Sequence, residues 1–433
     1  MKIGLEVHVA LPTKSKLFCS CSMADTDEPN SQICPICMGF PGSKPTLNGA
    51  AVSSALGIAK ALNCRVKEGI SFVRKVYFYP DLPKCYQITQ MDGAIGSSGY
   101  LDIDEGKQVR IRRVQIEEDP AQIVRDGALT LLDFNRSGTP LVEIVTEPDI
   151  TCEEELRSFI SSLRSMLYYL GVDINKEIKA DLNISLPPGD IRVEVKNVTG
   201  IKSLIEATRF EIERQEDAIK HGEPIARETR GYSEKSKLTE SLREKETDEE
   251  YGYIYDPDLT TYDISGMGFN KAVYVGKLAE ELSKGTDVNP KTIREITMLD
   301  RRSLELISKF NGRYNLRSII HGIQRFKKYG GDAEPGDVVI ERIIRLVEEG
   351  AEVTKDMVQD AIAGREVKAE YSKLTDGQID QKIRDFLERN PDILAEYRRN
   401  SKTANLIINR IAQENNLHPR DVAKRVSAVL QGA

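Results

Sequence analysis

The strongest periodic signal opens the chain, where Ile3, Leu5, Val7 and Val9 alternate with Gly4, Glu6 and His8. Period-two alternation predicts a short strand with one apolar face and with Glu6 and His8 side by side on the other. The same pattern runs from Val109 to Ile116, with Arg110 and Arg112 at polar positions until the phase slips at Arg113 and Val114. This second strand delivers Glu117, Glu118 and Asp119 and stops at Pro120. Leu141 to Val145 is a continuous apolar run interrupted only by Glu143, which predicts a strand buried on both faces. Asp181, Asn183 and Ser185 alternate with Leu182, Ile184 and Leu186, and Arg192, Glu194 and Lys196 alternate with Ile191, Val193 and Val195. These are two strands with matched polar faces, which suit the floor of an open groove and a sheet face in water equally well.

Between these strands the period changes to that of a helix. Ala50 to Leu62 carries Val52, Leu56, Ile58 and Ala59 on one stripe. Thr151 and Glu154 form a capping box before Leu156, Phe159, Ile160, Leu163, Met166, Leu167 and Leu170, with Gly171 as the stop. A further helix is expected from Ser203 to His221, ending at Gly222. Residues 227–250 are poor in apolar positions and rich in both charge signs, the pattern of a mobile or solvated loop. Val76 to Lys84 holds Pro80 and Pro83 around Asp81, a stiff exposed loop that is either a substrate-facing lip or plain surface. Beyond residue 290 only helices are expected, with Thr354 capping one and Thr375 with Gln378 capping another. The pattern predicts an α+β fold: a mixed-sheet domain over 1–290, a helical domain over 291–375 and a small helical tail over 376–433.

At 433 residues, 40% hydrophobic and 30% charged, the chain is long enough for such domains, and no apolar run could span a membrane. A net charge of −7 excludes a uniformly basic nucleic-acid binder but not a local patch. Arg398, Arg399, Lys402, Arg410, Arg420, Lys424 and Arg425 make the C-terminal end locally basic, as an RNA-backbone surface or as solvated helix faces. Met1 leads straight into the first strand without a secretory signal, so a cytoplasmic protein is expected.

Two groups of residues carry chemistry. Cys19-x-Cys21 and Cys34-x-x-Cys37 are two close pairs separated by twelve residues, the spacing of a structural zinc site with reduced, unliganded thiols as the alternative. Glu6, His8, Glu117 and Glu143 are three carboxylates and an imidazole on strands or strand ends. Each has a bland reading as a solvated residue, although Glu143 inside an apolar strand is costly unless paired. As a set they suit Mg²⁺ or Mn²⁺ with open positions for phosphate oxygens. No glycine-rich phosphate loop is present, so any nucleotide is held in another way.

These residues, in this order, closely resemble the GatB/GatE family, the B subunit of the glutamyl/aspartyl-tRNA amidotransferase. The resemblance rests on Ile3 to His8, Lys16 to Cys21, Cys34 to Cys37 with Gly39, Tyr79 to Lys84, Glu117 to Asp119, Asn135 to Glu143 and Glu147 to Asp149. It continues through Asp181 to Ser185, Val193 to Asn197 and Glu228 to Arg230. It implies a cradle-like catalytic domain, a helical domain and a YqeY-like tail that binds tRNA. It also implies ATP-dependent phosphorylation of the side-chain carboxylate of Glu-tRNA(Gln) or Asp-tRNA(Asn), then amidation with ammonia from a GatA-like amidase beside a GatC-like small subunit. On this resemblance Glu6, His8, Glu117 and Glu143 are catalytic and hold magnesium, and Arg136, Asp181, Lys196 and Arg230 bind the cofactor ATP. Cys19, Cys21, Cys34 and Cys37 hold zinc. The main alternative is a non-catalytic, zinc-stabilised module that only presents tRNA. A metal-dependent ligase acting on a small carboxylate is a third. The chain departs from the family's pattern at Pro120-Ala121-Gln122, and at Cys85, where glycine is usual.

Overall fold

A computed structural model describes the chain except residues 104–105, 175–177, 245–251, 366, 368–373, 394–396, 398–402, 416 and 432–433. It divides into two compact units, Met1–Tyr274 and Val275–Ala433.

The first unit is built on a mixed eight-stranded sheet. Its strands, in spatial order, are Leu238–Glu244, Glu228–Ser233, Val193–Thr199, Lys179–Ser185, Lys2–Ala10, Pro140–Thr146, Gln108–Glu118 and Gly96–Asp102. Neighbours are antiparallel apart from Val193–Thr199 and Glu228–Ser233, which run parallel and are joined through the helix Ile201–His221. The N-terminal strand is therefore central, between Pro140–Thr146 and Lys179–Ser185. Ile3, Leu5, Val7, Val142, Ile144, Leu182, Ile184 and Val195 point to one face and form a core with the helices Gly49–Ala61, Glu153–Tyr169 and Ile201–His221. The opposite face carries the polar positions of the same strands.

Local chemistry accounts for the element ends. Asn48 caps the first helix by accepting from the N–H groups of Ala50 and Ala51, and Gly222 ends the third in the left-handed region at φ +70°. The expected capping box of Thr151 and Glu154 does not form: Cys152 is the N-cap without a side-chain cap, and Glu155 accepts from the Thr151 N–H at 2.7 Å. Lys107 also binds Glu155. The phase slip at Arg113 is a β-bulge between Ile111 and Arg113, which shifts Arg113, Gln115 and Glu117 onto the polar face. The loop expected over 227–250 is instead a hairpin of two strands, Glu228–Ser233 and Leu238–Glu244, at the sheet edge. Some of its charges are paired, while Glu234, Lys235, Lys237 and Glu240 stay exposed. Arg230 donates to Thr239 and Glu228, and buried Glu211 binds Arg214. Residues 245–250 of that run lie outside the described residues.

The regular elements of the second unit are helices. Those from Val275–Ser283 to Lys355–Ile362 pack around Ile307, Phe310, Ile319 and Ile344, and Asp376–Arg389, Thr403–Glu414 and Pro419–Gln431 pack around Ile383, Phe386 and Ile411. This helical unit begins before residue 290, because Ala279 of the helix Val275–Ser283 is buried in the first of these clusters. Thr354 caps its helix through the Met357 N–H, and Thr375 with Gln378 closes a capping box.

Cys85 stands in the left-handed region at φ +59°, a conformation glycine adopts without steric cost. Replacing it with glycine is expected to stabilise the fold by about 0.5–1 kcal/mol in urea unfolding, whereas Cys85→Ala, which keeps a β-carbon, gains nothing.

Candidate active site

The polar face of the sheet collects titratable groups by register alone. His8 lies directly opposite Glu143, Gln115 opposite Glu143 and Glu6 opposite Asp181. Directly opposed residues of an antiparallel pair share a face, so these side chains meet. His8 Nε2 lies 3.2 Å from a Glu117 oxygen and 3.7 Å from a Glu143 oxygen. Glu117 and Glu143 are both buried, so the run Glu117 to Asp119 is not a solvated strand end. Glu117 faces the site. Glu118 points the other way, where it binds Lys84 and accepts from the Ile88 N–H, while Asp119 faces Arg136 at 3.4 Å.

The three groups perturb one another strongly. Burial opposes charge on His8, but the Glu117 hydrogen bond and the charges of Glu117, Glu143 and Asp181 outweigh it and raise the imidazole to about 10. Glu143 is pushed up to about 7, first by burial and then by repulsion from Glu117. Burial also resists ionisation of Glu117, yet the His8 hydrogen bond and charge hold it below the usual carboxylate range.

The expected four-residue metal set divides into two neighbouring groups. His8, Glu117 and Glu143 bring one ligand atom each within 4.8 Å of one another. Glu6 lies instead with Asp181 and Glu194, whose ligand atoms meet the same limit. Neighbouring ligands of a bound Mg²⁺ or Mn²⁺ are ~3–4 Å apart, so small side-chain rotations bring either group into range. Among the described residues Glu143 Oε2 is buried without a hydrogen-bond partner, as a carboxylate oxygen kept for a cation would be. Within the second group the Asn197 N–H, at a backbone bulge, donates to Asp181 at 2.7 Å. Lys196 Nζ lies 3.6 Å from Asp181 and 3.9 Å from Glu194. Asn183 donates to Glu6, and Thr229 to Glu194.

The other expected cofactor residues are placed differently. Arg136 donates to the carbonyls of Pro120 and Ala121, bracing the turn after Glu117. Arg230 is on the helix side of the sheet, its guanidinium engaged by Thr239, Glu228 and Glu211, so the fold does not bring it to the carboxylates. Three charged residues at or beside the site were not singled out from sequence. Glu194 needed the strand pairing to be recognised, and Arg113 needed the bulge. Lys75, whose charge acts on Glu117, lies on the strand Val73–Val76 and stacks over the Tyr77 ring.

The four cysteines converge separately. Their sulfur atoms lie within 4.8 Å of one another, and those of Cys34 and Cys37 are 3.9 Å apart, against ~3.8 Å expected for tetrahedral Zn–S bonds of 2.3 Å. The Cys19 thiol hydrogen bond lowers Cys37 to about 5 against the resistance of burial, assisted by the Cys34 N–H and by Lys16. Lys16 is fully buried, with Nζ 3.8 Å from Cys37 Sγ and 3.0 Å from the Phe134 carbonyl. A buried cation beside four sulfurs fits a zinc tetrathiolate, which carries net negative charge. The cysteine loop is tied to the turn that precedes the Glu143 strand: Asn30 exchanges hydrogen bonds with Asp133 and Phe134, Gln32 N–H binds Asn135, and Leu17 N–H binds Gly138. Beside it opens a cleft of roughly 470 Å³ lined by Lys16, Phe18, Cys37, Phe40, Lys84 and Glu118.

Residues 1–268, more than half of the chain, match the GatB/GatE catalytic domain. The chain belongs to that family. The aspartyl/glutamyl-tRNA(Asn/Gln) amidotransferase B subunits of Sulfurisphaera tokodaii and Saccharolobus solfataricus are 49% and 50% identical to it over 280 residues, 61% of this chain and 59% of each relative. The corresponding B subunit of Coprothermobacter proteolyticus is 35% identical over 429 residues, covering 92% of this chain and 90% of that relative. The chain thus spans under two thirds of the first two relatives and nearly all of the third. Among the described residues no helix is long and apolar enough to cross a membrane.

For this GatB-family chain, purified protein is expected to hold one zinc ion. Cys34→Ser with Cys37→Ser should abolish it in elemental analysis and lower the melting temperature, because the pinned loop carries the turn before Glu143.

Proposed function

We propose that this chain is the kinase and transamidase subunit of a tRNA-dependent amidotransferase. The carrying observation is the meeting of His8, Glu117 and Glu143 on one face of a GatB-family sheet. In this reading ATP phosphorylates the side-chain carboxylate of a Glu-tRNA or Asp-tRNA, and ammonia displaces the phosphate. A GatA-like amidase, with a GatC-like small subunit, supplies the ammonia in the cytoplasm.

His8, Glu117 and Glu143 would hold one Mg²⁺ or Mn²⁺, and Glu6, Asp181 and Glu194 a second. Such ions neutralise phosphate oxygens and orient the triphosphate. The protein's own part is positioning. The antiparallel register fixes His8 against Glu143, burial keeps competing water away, and Lys196 adds positive charge beside the second group. Phosphoryl transfer to a carboxylate needs no protein nucleophile, because the substrate carboxylate itself attacks. Zinc at the cysteine quartet is structural in this reading, since four thiolates leave no open coordination position. The YqeY-like tail would contact tRNA through exposed Arg410, Arg420 and Lys424. Arg425 is excluded from that surface because Asp380 engages it. Arg398, Arg399 and Lys402 lie outside the described residues.

The test assembles the chain with its amidase and small subunits and supplies ammonium, ATP, Mg²⁺ and Glu-tRNA or Asp-tRNA. Amide product is expected with one or both tRNAs, and Glu143→Gln is expected to reduce it at least ~100-fold with zinc content unchanged. A wild-type complex that binds tRNA but never consumes ATP would instead make the chain a presenting module.

Metal affinity should also depend on pH. A cation must displace the proton on Glu143 and the proton on His8, so protons compete with it. With Glu143 near 7 and His8 near 10, Mn²⁺ affinity measured by calorimetry is expected to rise with pH above 7 and to be lost as pH falls below it.

A further inference from the structure

Among the described residues, three buried polar atoms near the His8 group lack hydrogen-bond partners: Arg113 Nε, Gln115 Oε1 and Glu143 Oε2. Arg113 and Gln115 lie on the strand beside Glu143, and all three residues are on the polar face of the sheet. Gln115 and Glu143 are each more than nine-tenths buried, so water does not readily satisfy them. Unpaired buried donors and acceptors on neighbouring residues mark a place where a polar ligand can contact them.

Arg113 is the cation of this group. The bulge places it here, because without the register shift it would point toward the core with Ile111. Its guanidinium reaches Glu143 only at 3.9 Å, too long for a good ion pair, and its side chain is 43% exposed. Arg110 and Arg112 on the same strand are instead locked onto Asp149 and Glu147 by paired hydrogen bonds. Among the described residues Arg113 therefore has a buried Nε–H without a hydrogen-bond partner and a fork held only by the long contact to Glu143, and it faces the carboxylates of the His8 group.

We propose that Arg113 is a catalytic residue that binds the transferring γ-phosphoryl group. A planar guanidinium donates two parallel hydrogen bonds to phosphoryl oxygens, and its position next to Glu143 puts it on the same side of that group as the proposed ion. This rests on the kinase reading of the site. In the step, a carboxylate oxygen of the aminoacyl side chain forms a bond to the γ-phosphorus. The bond from that phosphorus to the bridging oxygen breaks, and ADP leaves with the electron pair. No proton is transferred. Ammonia then forms a C–N bond to the acyl phosphate carbon, phosphate leaves with the C–O electrons, and the nitrogen loses a proton. In the first transfer a fixed guanidinium holds the equatorial phosphoryl oxygens in line with the attacking carboxylate and offsets their charge.

The experiment uses the assembled complex with Mg²⁺ and compares wild type with Arg113→Ala. Calorimetry measures binding of ADP alone and of ADP with fluoroaluminate, a mimic of the transferring phosphoryl group. Arg113→Ala is expected to weaken the fluoroaluminate complex about 100-fold while ADP affinity changes by less than about threefold, and added guanidinium should restore part of the loss. Turnover of ATP with charged tRNA should fall by a similar factor in kcat. Equal weakening of both ligands would mean that Arg113 only props Glu143, and would overturn the assignment. A raised KM for charged tRNA with intact fluoroaluminate binding would also overturn it, by placing the aminoacyl carboxylate on Arg113. Wild-type ATP turnover with charged tRNA is the control: its absence would count against the kinase reading as a whole, and not against Arg113 alone.

Discussion

Much of the first unit depends on the cost of keeping two buried carboxylates and an imidazole in contact on one sheet face. In water Glu117 and Glu143 would be solvated apart. Here the register of three strands forces them together, and burial with mutual repulsion raises Glu143 to about 7. Isolated ionised carboxylates in such a place would be expelled or protonated. The neighbouring cations respond to this: His8 between them, Arg113 from the bulge and Lys75 from the adjoining small sheet each lower the charge density. A site this expensive persists because the core of Ile3, Leu5, Val7, Val142 and Ile144 on the reverse face fixes the strands that carry it.

A second constraint acts through the turn before Glu143. Hydrogen bonds from Asn30, Gln32 and Leu17 join the cysteine loop to residues 133–138, while Gly138 N–H binds the Asp119 carbonyl. Tension or slack in that loop is thus passed to both strands that carry buried glutamates. Lys16 completes the link, touching both a sulfur of the quartet and the Phe134 carbonyl of the turn. The quartet is therefore better described as an anchor for the sheet than as decoration on it.

Much of this was legible in the chain. Alternation found the strands around Glu6, His8, Glu143 and Asp181, because one face of each is core and the other is not. The phase slip at Arg113 signalled the bulge. What it could not convey was pairing. Spacing grouped Glu6 with His8 because they are two residues apart, yet lateral neighbours matter more on a sheet, and Glu6 lies beside Asp181 instead. Glu194 was hidden for the same reason. Arg230 shares a strand with Thr229, but the two point to opposite faces, so a motif containing both did not show which one reaches the site. The charged run after 227 misled because an edge hairpin with one face in water has the composition of a loop.

The central position of the first strand has a consequence for biosynthesis. Lys2–Ala10 can be hydrogen-bonded on both edges only after Lys179–Ser185 has emerged, since that strand supplies one flank and Pro140–Thr146 the other. Glu117 and Glu143 lie on strands that pair locally, whereas His8 must wait for Glu143, far along the chain, and then for a second flank at Lys179. During synthesis the first residues of the chain are thus among the last to be locked in place. A nascent chain completes its acidic pair only when Glu143 has emerged, and the imidazole that neutralises the pair docks through that same strand.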